Sequence, residues 1–246
     1  MYLTKHDTWE TRREYALRTI KENIVCLNLE PGSMVSENEL SQELGISRGP
    51  VREALLELSR MKIVEVYPQR GSCVALIDYN LIDQVSFLRQ TMECAVVERC
   101  CQSGIKPEYL SLLRENVWLQ ERYLENGHKD KLMKLDDEFH MYLFANSNAK
   151  DIHSLMSGLM IHFDRVRLMS LAVGSDREIV KTHSDILDAI VARNQESAIQ
   201  LMSKHITHYK IDKETISLKY PHYVRNRSGS ESGEQRERLK GLDISL

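Results

Sequence analysis

Apolar residues recur at helical spacing over most of this chain, and only one short stretch alternates. From Thr8 to Leu27 the positions Ala16, Ile20, Ile24 and Leu27 fall on one face, predicting a first helix that Pro31-Gly32 ends. Ser36 with Glu39 three residues on is a helix-opening pattern, because the hydroxyl can accept from a free N–H of the first turn while the acid reaches back. Leu40 and Leu44 then face inward, and Gly45 suits a left-handed helix end. Ser47 can cap a further helix running to about Met61, with Val51, Ala54, Leu55 and Leu58 on its apolar side. Two short helices around a glycine-containing turn make a helix-turn-helix. The period then drops to two: residues 63–67 and 72–76 are β-rich and flank the polar turn Pro68-Gln69-Arg70-Gly71, predicting a two-stranded wing. A lone hairpin is only marginally stable in water, so the wing should lean on the preceding helices.

From Asp78 onward every segment is amphipathic at helical period: about 79–103, 107–126, 129–146, 149–170, 176–193 and 195–218. The expected fold class is mainly α, an N-terminal winged helix-turn-helix of three helices plus a two-stranded wing followed by an all-α bundle. The boundaries read as 1–77, 78–220 and a polar tail, 221–246, too poor in apolar side chains to offset the entropy of ordering.

Composition narrows the setting. No run of about eighteen apolar residues is present to span a bilayer, and the opening residues lack the layout of a secretory signal, so a cytoplasmic protein without a membrane partner is expected. The cysteines (Cys26, Cys73, Cys94, Cys100, Cys101) are odd in number and show no CxxC spacing, so they read as reduced and mostly buried small hydrophobes. A net charge of −3 argues against indiscriminate nucleic-acid binding. Residues 44–72 nevertheless carry five bases against three acids, a weak patch that matters only if geometry concentrates it.

Geometry can do so. With Ser47 as cap, Arg48 lies in the first turn of the second helix of the pair and Arg52 stands one turn above it, opposite the apolar face. Two guanidinium groups near the end of a helix thin enough for a major groove suit guanine edges or phosphates. Helix N-termini at Ser36 and Ser47 can hold phosphates, Arg70 or Gln69 can enter a minor groove, and Gly71 permits close approach of the backbone. The same arginines also fit solvated surface charges paired with Glu53 or Glu57.

The helical half carries a second constellation. Asp136 and His140, four apart, share one helical face; His183 lies among Val180, Ile186, Leu187 and Ile190, and His205 among Leu201, Met202, Ile206 and Tyr209. Three imidazoles and a carboxylate converging in a bundle favour Zn²⁺ or Ni²⁺. Either late histidine taken alone more often reads as a neutral core residue. A metal site with an open position would also fit a hydrolase, though no obvious general base accompanies the ligands and the N-terminal third would go unexplained. A purely structural metal is a further reading. His6, His128, His153, His162, His208 and His222 show no comparable arrangement, and the methionines of the helical half read as packing.

The stretch from Ser36-Glu37-x-Glu39-Leu40 through Gly45-Ile46-Ser47-Arg48-x-Pro50-Val51-Arg52-Glu53-Ala54-Leu55 to Leu58 resembles the winged helix-turn-helix of GntR-family regulators, with the likeness covering about residues 8–77. Residues 79–218 resemble the FCD-type sensor domain of its FadR-like branch: Arg89-x-x-x-Glu93, Asp136-x-x-Phe139-His140, then His183 and His205. The resemblance implies that Arg48 and Arg52 contact an operator and Gly71 is the wing-tip glycine. It implies a divalent metal held by Asp136, His140, His183 and His205, with Arg89 binding the carboxylate of a small organic-acid effector, although Arg89 also fits an ordinary helix arginine paired with Glu93. It further implies a homodimer on a near-palindromic operator, acting as a repressor that lets go when the effector binds. Two positions depart from the family's habit: Asn38 stands where Arg is frequent, and Thr182 where Glu is frequent.

Overall fold

The computed structural model describes residues 1–67, 69–174 and 176–225. The head opens with α1 (Arg12–Val25), whose start is fixed by Thr11 and Glu14: the threonine hydroxyl accepts from the Glu14 N–H and the Glu14 carboxylate accepts from the Thr11 N–H. That box begins the helix four residues later than its apolar period suggests. β1 (Met34–Val35) leads into α2 (Glu37–Leu44), capped by the Ser36 hydroxyl accepting from Glu39 N at 3.1 Å and closed by Gly45 at φ +66°. α3 (Arg48–Arg60) follows, with Val51, Ala54, Leu55 and Leu58 buried as its pattern requires. Ser47 occupies the cap position of α3 yet makes no side-chain capping bond.

β2 (Val64–Tyr67) and β3 (Gly71–Val74) form the antiparallel wing, pairing Val64 with Val74 and Tyr67 with Gly71. The sheet has a third strand that the sequence pattern does not show. β1 pairs with β3 through Met34–Cys73 and Val35–Ser72, giving the order β1-β3-β2. A two-residue strand is too short to alternate, so no period could reveal it. Ala16, Ile20, Ile24, Leu40, Leu55, Leu58, Ile63 and Val74 make one apolar core beneath helices and sheet.

The second half is helical: α4 (Tyr79–Ser103), α5 (Pro107–Glu125), α6 (Lys129–Asn146), α7 (Lys150–Val173), α8 (Asp176–Val191), α9 (Gln195–Thr207) and α10 (Tyr209–Lys219). The last expected helix, 195–218, is two. His208 and Ile211 each donate to a carbonyl three residues back, at 3.2 and 2.9 Å, which tightens the turn between α9 and α10 without proline or glycine. α4 packs on α9, α7 and α6, while α5 packs on α6 and α8. Val97, Leu113, Phe139, Leu143, Ile186, Ile190, Met202 and Ile206 fill the space between them. Cys100 and Cys101 join this core, Cys73 and Cys94 are half-buried and Cys26 is exposed, so fewer of the cysteines are buried than the expected majority.

Residues 221–225 return to the linker. Ile77 donates to Tyr223 O at 2.8 Å and Arg225 donates to Ile77 O at 2.9 Å, forming a parallel bridge between Ile77 and Val224. The rest of the expected tail, 226–246, lies outside the described residues.

Candidate functional site

α2, α3 and the wing enclose an exposed groove of about 320 Å³ that brings together Ser36, Asn38, Arg48, Arg52 and Gly71. Ser47 and Arg70 are exposed close by, outside the groove lining. The acids of α3 do not neutralise its arginines: Glu57 pairs with Arg13 of α1, and Glu53 lies 3.7 Å from the same guanidinium. Arg52 keeps 69% of its side chain exposed, with Glu37 at the edge of ion-pair distance, 4.0 Å. Among the described residues no acid pairs with Arg48. Gly71 has a local reason to be glycine: its φ is +98°, and a Cβ there would meet Val35 O at 3.3 Å. Leu56, Val66 and Tyr67 also line the groove, where neither period nor charge marks them out.

Inside the bundle, Asp136 and His140 from α6, His183 from α8 and His205 from α9 each place one ligand-capable atom within 4.8 Å of the others. The Nε2 atoms of His140 and His183 lie 3.1 and 3.2 Å from that of His205. Asp136 Oδ1 stands 3.5 Å from His183 Nε2. The neighbours settle the protons. Gln120 of α5 gives its amide N–H to Asn116 Oδ1 at 2.7 Å, so its oxygen faces His183 Nδ1, also at 2.7 Å, and that nitrogen must carry hydrogen. His140 Nδ1 lies against the Glu93 carboxylate, which likewise accepts only. Both Nε2 atoms therefore present lone pairs. His205 has one hydrogen to offer at Nε2 and can satisfy one of them, while its buried Nδ1 has no hydrogen-bond partner among the described residues.

Burial disfavours protonation of two of the three rings. Burial holds His183 down to about 3 and His205 well below the ordinary imidazole value, although Asp136 opposes the shift in both. Burial would raise Asp136, but the Arg167 guanidinium against it keeps the carboxyl ionised. Convergent imidazole nitrogens beside a fixed carboxylate form a donor set suited to a divalent cation, with Gln120 and Glu93 orienting two of the rings.

Arg89 is buried among internal partners. It donates to Glu93, lies 3.8 Å from Asp136 Oδ2, and its guanidinium stands over Phe163 at 5.3 Å. Arg167 of α7, which the sequence reading does not single out, holds Asp136 directly and bonds Asp137 and Asp164 at 3.0 Å each. A narrow opening lined by Gln120, Met133, Asp136, Arg167 and Val180 reaches the same cluster. The available signal is Asp164-Arg165-x-Arg167 set among the apolar residues of α7, since charges there need partners.

Known families match both halves of the chain. A family model described as "Bacterial regulatory proteins, gntR family" matches residues 13–74, and one described as "FCD domain" matches residues 84–208. The HTH-type transcriptional repressor RspR of Escherichia coli (strain K12) is 33% identical over 190 residues, 77% of this chain and 83% of that protein. An uncharacterized HTH-type regulator of Streptomyces ambofaciens is 29% identical over 85% of this chain and 88% of its own length. Among solved structures, E. coli McbR/YncC superposes with a TM-score of 0.69 at 19% identity, covering 87% of this chain and 99% of that one. A GntR regulator from Rhodococcus sp. RHA1 gives 0.67 at 24% identity, covering 86% and 100%. At those identities the structures speak for the fold. The sequence matches speak for more, and they set the hydrolase alternative aside: the chain belongs to the GntR family of DNA-binding transcriptional regulators, in the group that carries an FCD domain.

Proposed function

We propose that the protein is a cytoplasmic homodimeric repressor whose grip on a near-palindromic operator depends on a small carboxylate effector and a divalent metal, Zn²⁺ or Ni²⁺, in the FCD domain. The observation that carries the reading is the exposed groove in which Arg48 and Arg52, one turn apart on α3, stand clear of Glu53 and Glu57. Arg48 and Arg52 read base edges in a major groove, Ser36, Asn38 and Ser47 hold phosphates, and Arg70 beside Gly71 reaches the neighbouring minor groove. Asp136, His140, His183 and His205 would hold the metal, which supplies a positive centre for an anionic effector. Arg89 takes the effector carboxylate by exchanging its internal partners, Glu93 and Asp136, for the incoming anion.

Two recognition helices one turn of DNA apart require a two-fold dimer. Ile152, Leu155 and Leu159 form an exposed apolar stripe on α7 fit for that contact. Repression follows the name of the 33% identical RspR.

The test is an Arg48→Ala, Arg52→Ala double variant on a duplex enriched from a random pool by the wild-type protein. Each lost base contact should cost about 1–3 kcal/mol, and each lost phosphate contact should lower the salt slope by about one. Unchanged affinity and salt slope would sink the reading. Chelation separates the metal's roles: loss of folding marks a purely structural ion, and loss of effector response alone marks a sensor.

A further inference from the structure

α7 touches both halves of the molecule. On one face Arg167 grips Asp136, one of the four convergent ligands, together with Asp137 and Asp164. Two residues away, and so on the opposite face of the helix, Arg165 is completely buried and donates to Ala75 O, at the exit of the wing, at 2.6 Å. It also lies 3.3 Å from His162 Nδ1, while His162 Nε2 lies 2.8 Å from Met61 O. Met61 is the C-cap residue of α3, the recognition helix. The roles are forced: a carbonyl only accepts, so Nε2 carries hydrogen, and Nδ1 accepts from Arg165. Ile161, next on the same helix, sits in the apolar core of the head.

Among the described residues no carboxylate pairs with Arg165, and its Nε has no hydrogen-bond partner. A buried cation held by neutral acceptors alone is costly, and undocking the head would return it to water. Apolar contact through Ile161 and the bonds to Met61 and Ala75 pull the other way. Opposed forces of this kind make a joint with two accessible positions, which a small movement of α7 can tip.

We propose that Arg165 and His162 are positioning residues that transmit the state of the Asp136 centre, through α7 as a rigid lever, to the recognition helix and the wing. This rests on the metal-dependent regulator reading above. The lever works because Arg167 and Arg165 ride on one helix: a shift that resets Arg167 against Asp136 also resets the hydrogen bonds at Met61 and Ala75.

The test uses the full-length chain, Zn²⁺ alone as the probe, and a duplex enriched from a random pool. Duplex affinity is measured with and without Zn²⁺, and Zn²⁺ affinity by competition with a chromogenic chelator. In wild type, Zn²⁺ should change duplex affinity by a factor of about 5–150. His162→Phe and Arg165→Met should bind Zn²⁺ as wild type does while that factor falls towards one. His162→Gln, whose amide can both donate to Met61 O and accept from Arg165, should restore it. A factor that persists in His162→Phe and Arg165→Met overturns the proposal, as does a wild type that binds both Zn²⁺ and duplex with no coupling between them. A wild type that binds neither overturns the regulator reading itself, and the lever with it. If the variants do not fold, hydrogen exchange on wild type decides: amides of residues 61–63 and 74–77 should change their rates when Zn²⁺ is added, and unchanged rates overturn the proposal.

Discussion

Gln120 carries no charge and binds no metal, yet it fixes how His183 presents itself. Its amide is locked by Asn116, which in turn donates to Leu135 O at 2.9 Å, so His183 Nδ1 meets an oxygen that can only accept. Gln120→Leu should leave the ring in place and remove its orientation, weakening Zn²⁺ binding by about 10–100-fold, measurable by chelator competition. His162 offers a pH prediction. Burial pushes it down to about 4, with the nearby Arg165 and Lys62 acting in the same sense and the bond to Met61 O and Asp78 opposing. Between about 4 and the ordinary imidazole value near 6.5, the unfolded chain binds a proton that the folded chain refuses. Stability is therefore full above that range and falls as pH drops through it. At pH 5 the loss from this residue is about 2 kcal/mol. Thermal melts of metal-free wild type and His162→Gln at pH 7 and pH 5 check this, the variant losing less; equal losses would refute it.

The helix-turn-helix and the wing strands were legible because their signals are local: a cap, a period, a glycine at a left-handed end. Where the structure departs from the pattern, the deciding contacts are remote or very short. β1 exists because Val35 and Met34 find β3 nearly forty residues away, and the break at His208 is made by a few tightened backbone bonds. The four candidate metal-ligand positions are named from the family resemblance together with their inward helical faces, because their convergence cannot be read from spacing. The Arg89–Glu93 pair is legible as a four-residue spacing within α4, whereas the approach of Arg89 to Asp136 depends on how α4 and α6 meet. The two serine caps look equivalent as sequence and are not so in space. Ser36 makes its bond to Glu39 N, whereas Ser47 makes none. Ser36→Ala should therefore cost about 1 kcal/mol of stability, and Ser47→Ala should stay within about 0.5 kcal/mol in chemical denaturation. If Ser47 instead holds a phosphate, its variant should lose duplex affinity while melting like wild type.

The two family models stop at residue 74 and resume at residue 84, and the second ends at residue 208, so the linker and everything from α10 onward lie outside both. These leftover pieces are packed on one another. Ile77, Tyr79 and Ile82 share a core with Phe163 and Val166 of α7 and with Tyr209 and Ile216 of α10, while Tyr220, Tyr223 and Val224 close over it. Arg225 then ties the strap to the wing, donating to Glu65 of β2 at 2.8 Å and lying 3.7 Å from Asp78, the cap residue of α4. An exposed ion pair of this kind contributes little alone, but the strap also covers apolar surface and supplies both hydrogen bonds of Ile77. Its removal should act on the angle between the halves more than on either core. A chain stopped after Tyr220 should melt at lower temperature and exchange the Ile77 amide faster, and a chain stopped after Arg225 should match full length in both. Should the two truncations behave alike, residues 221–225 would be decoration on the joint, and the lever of α7 would hold the head unaided.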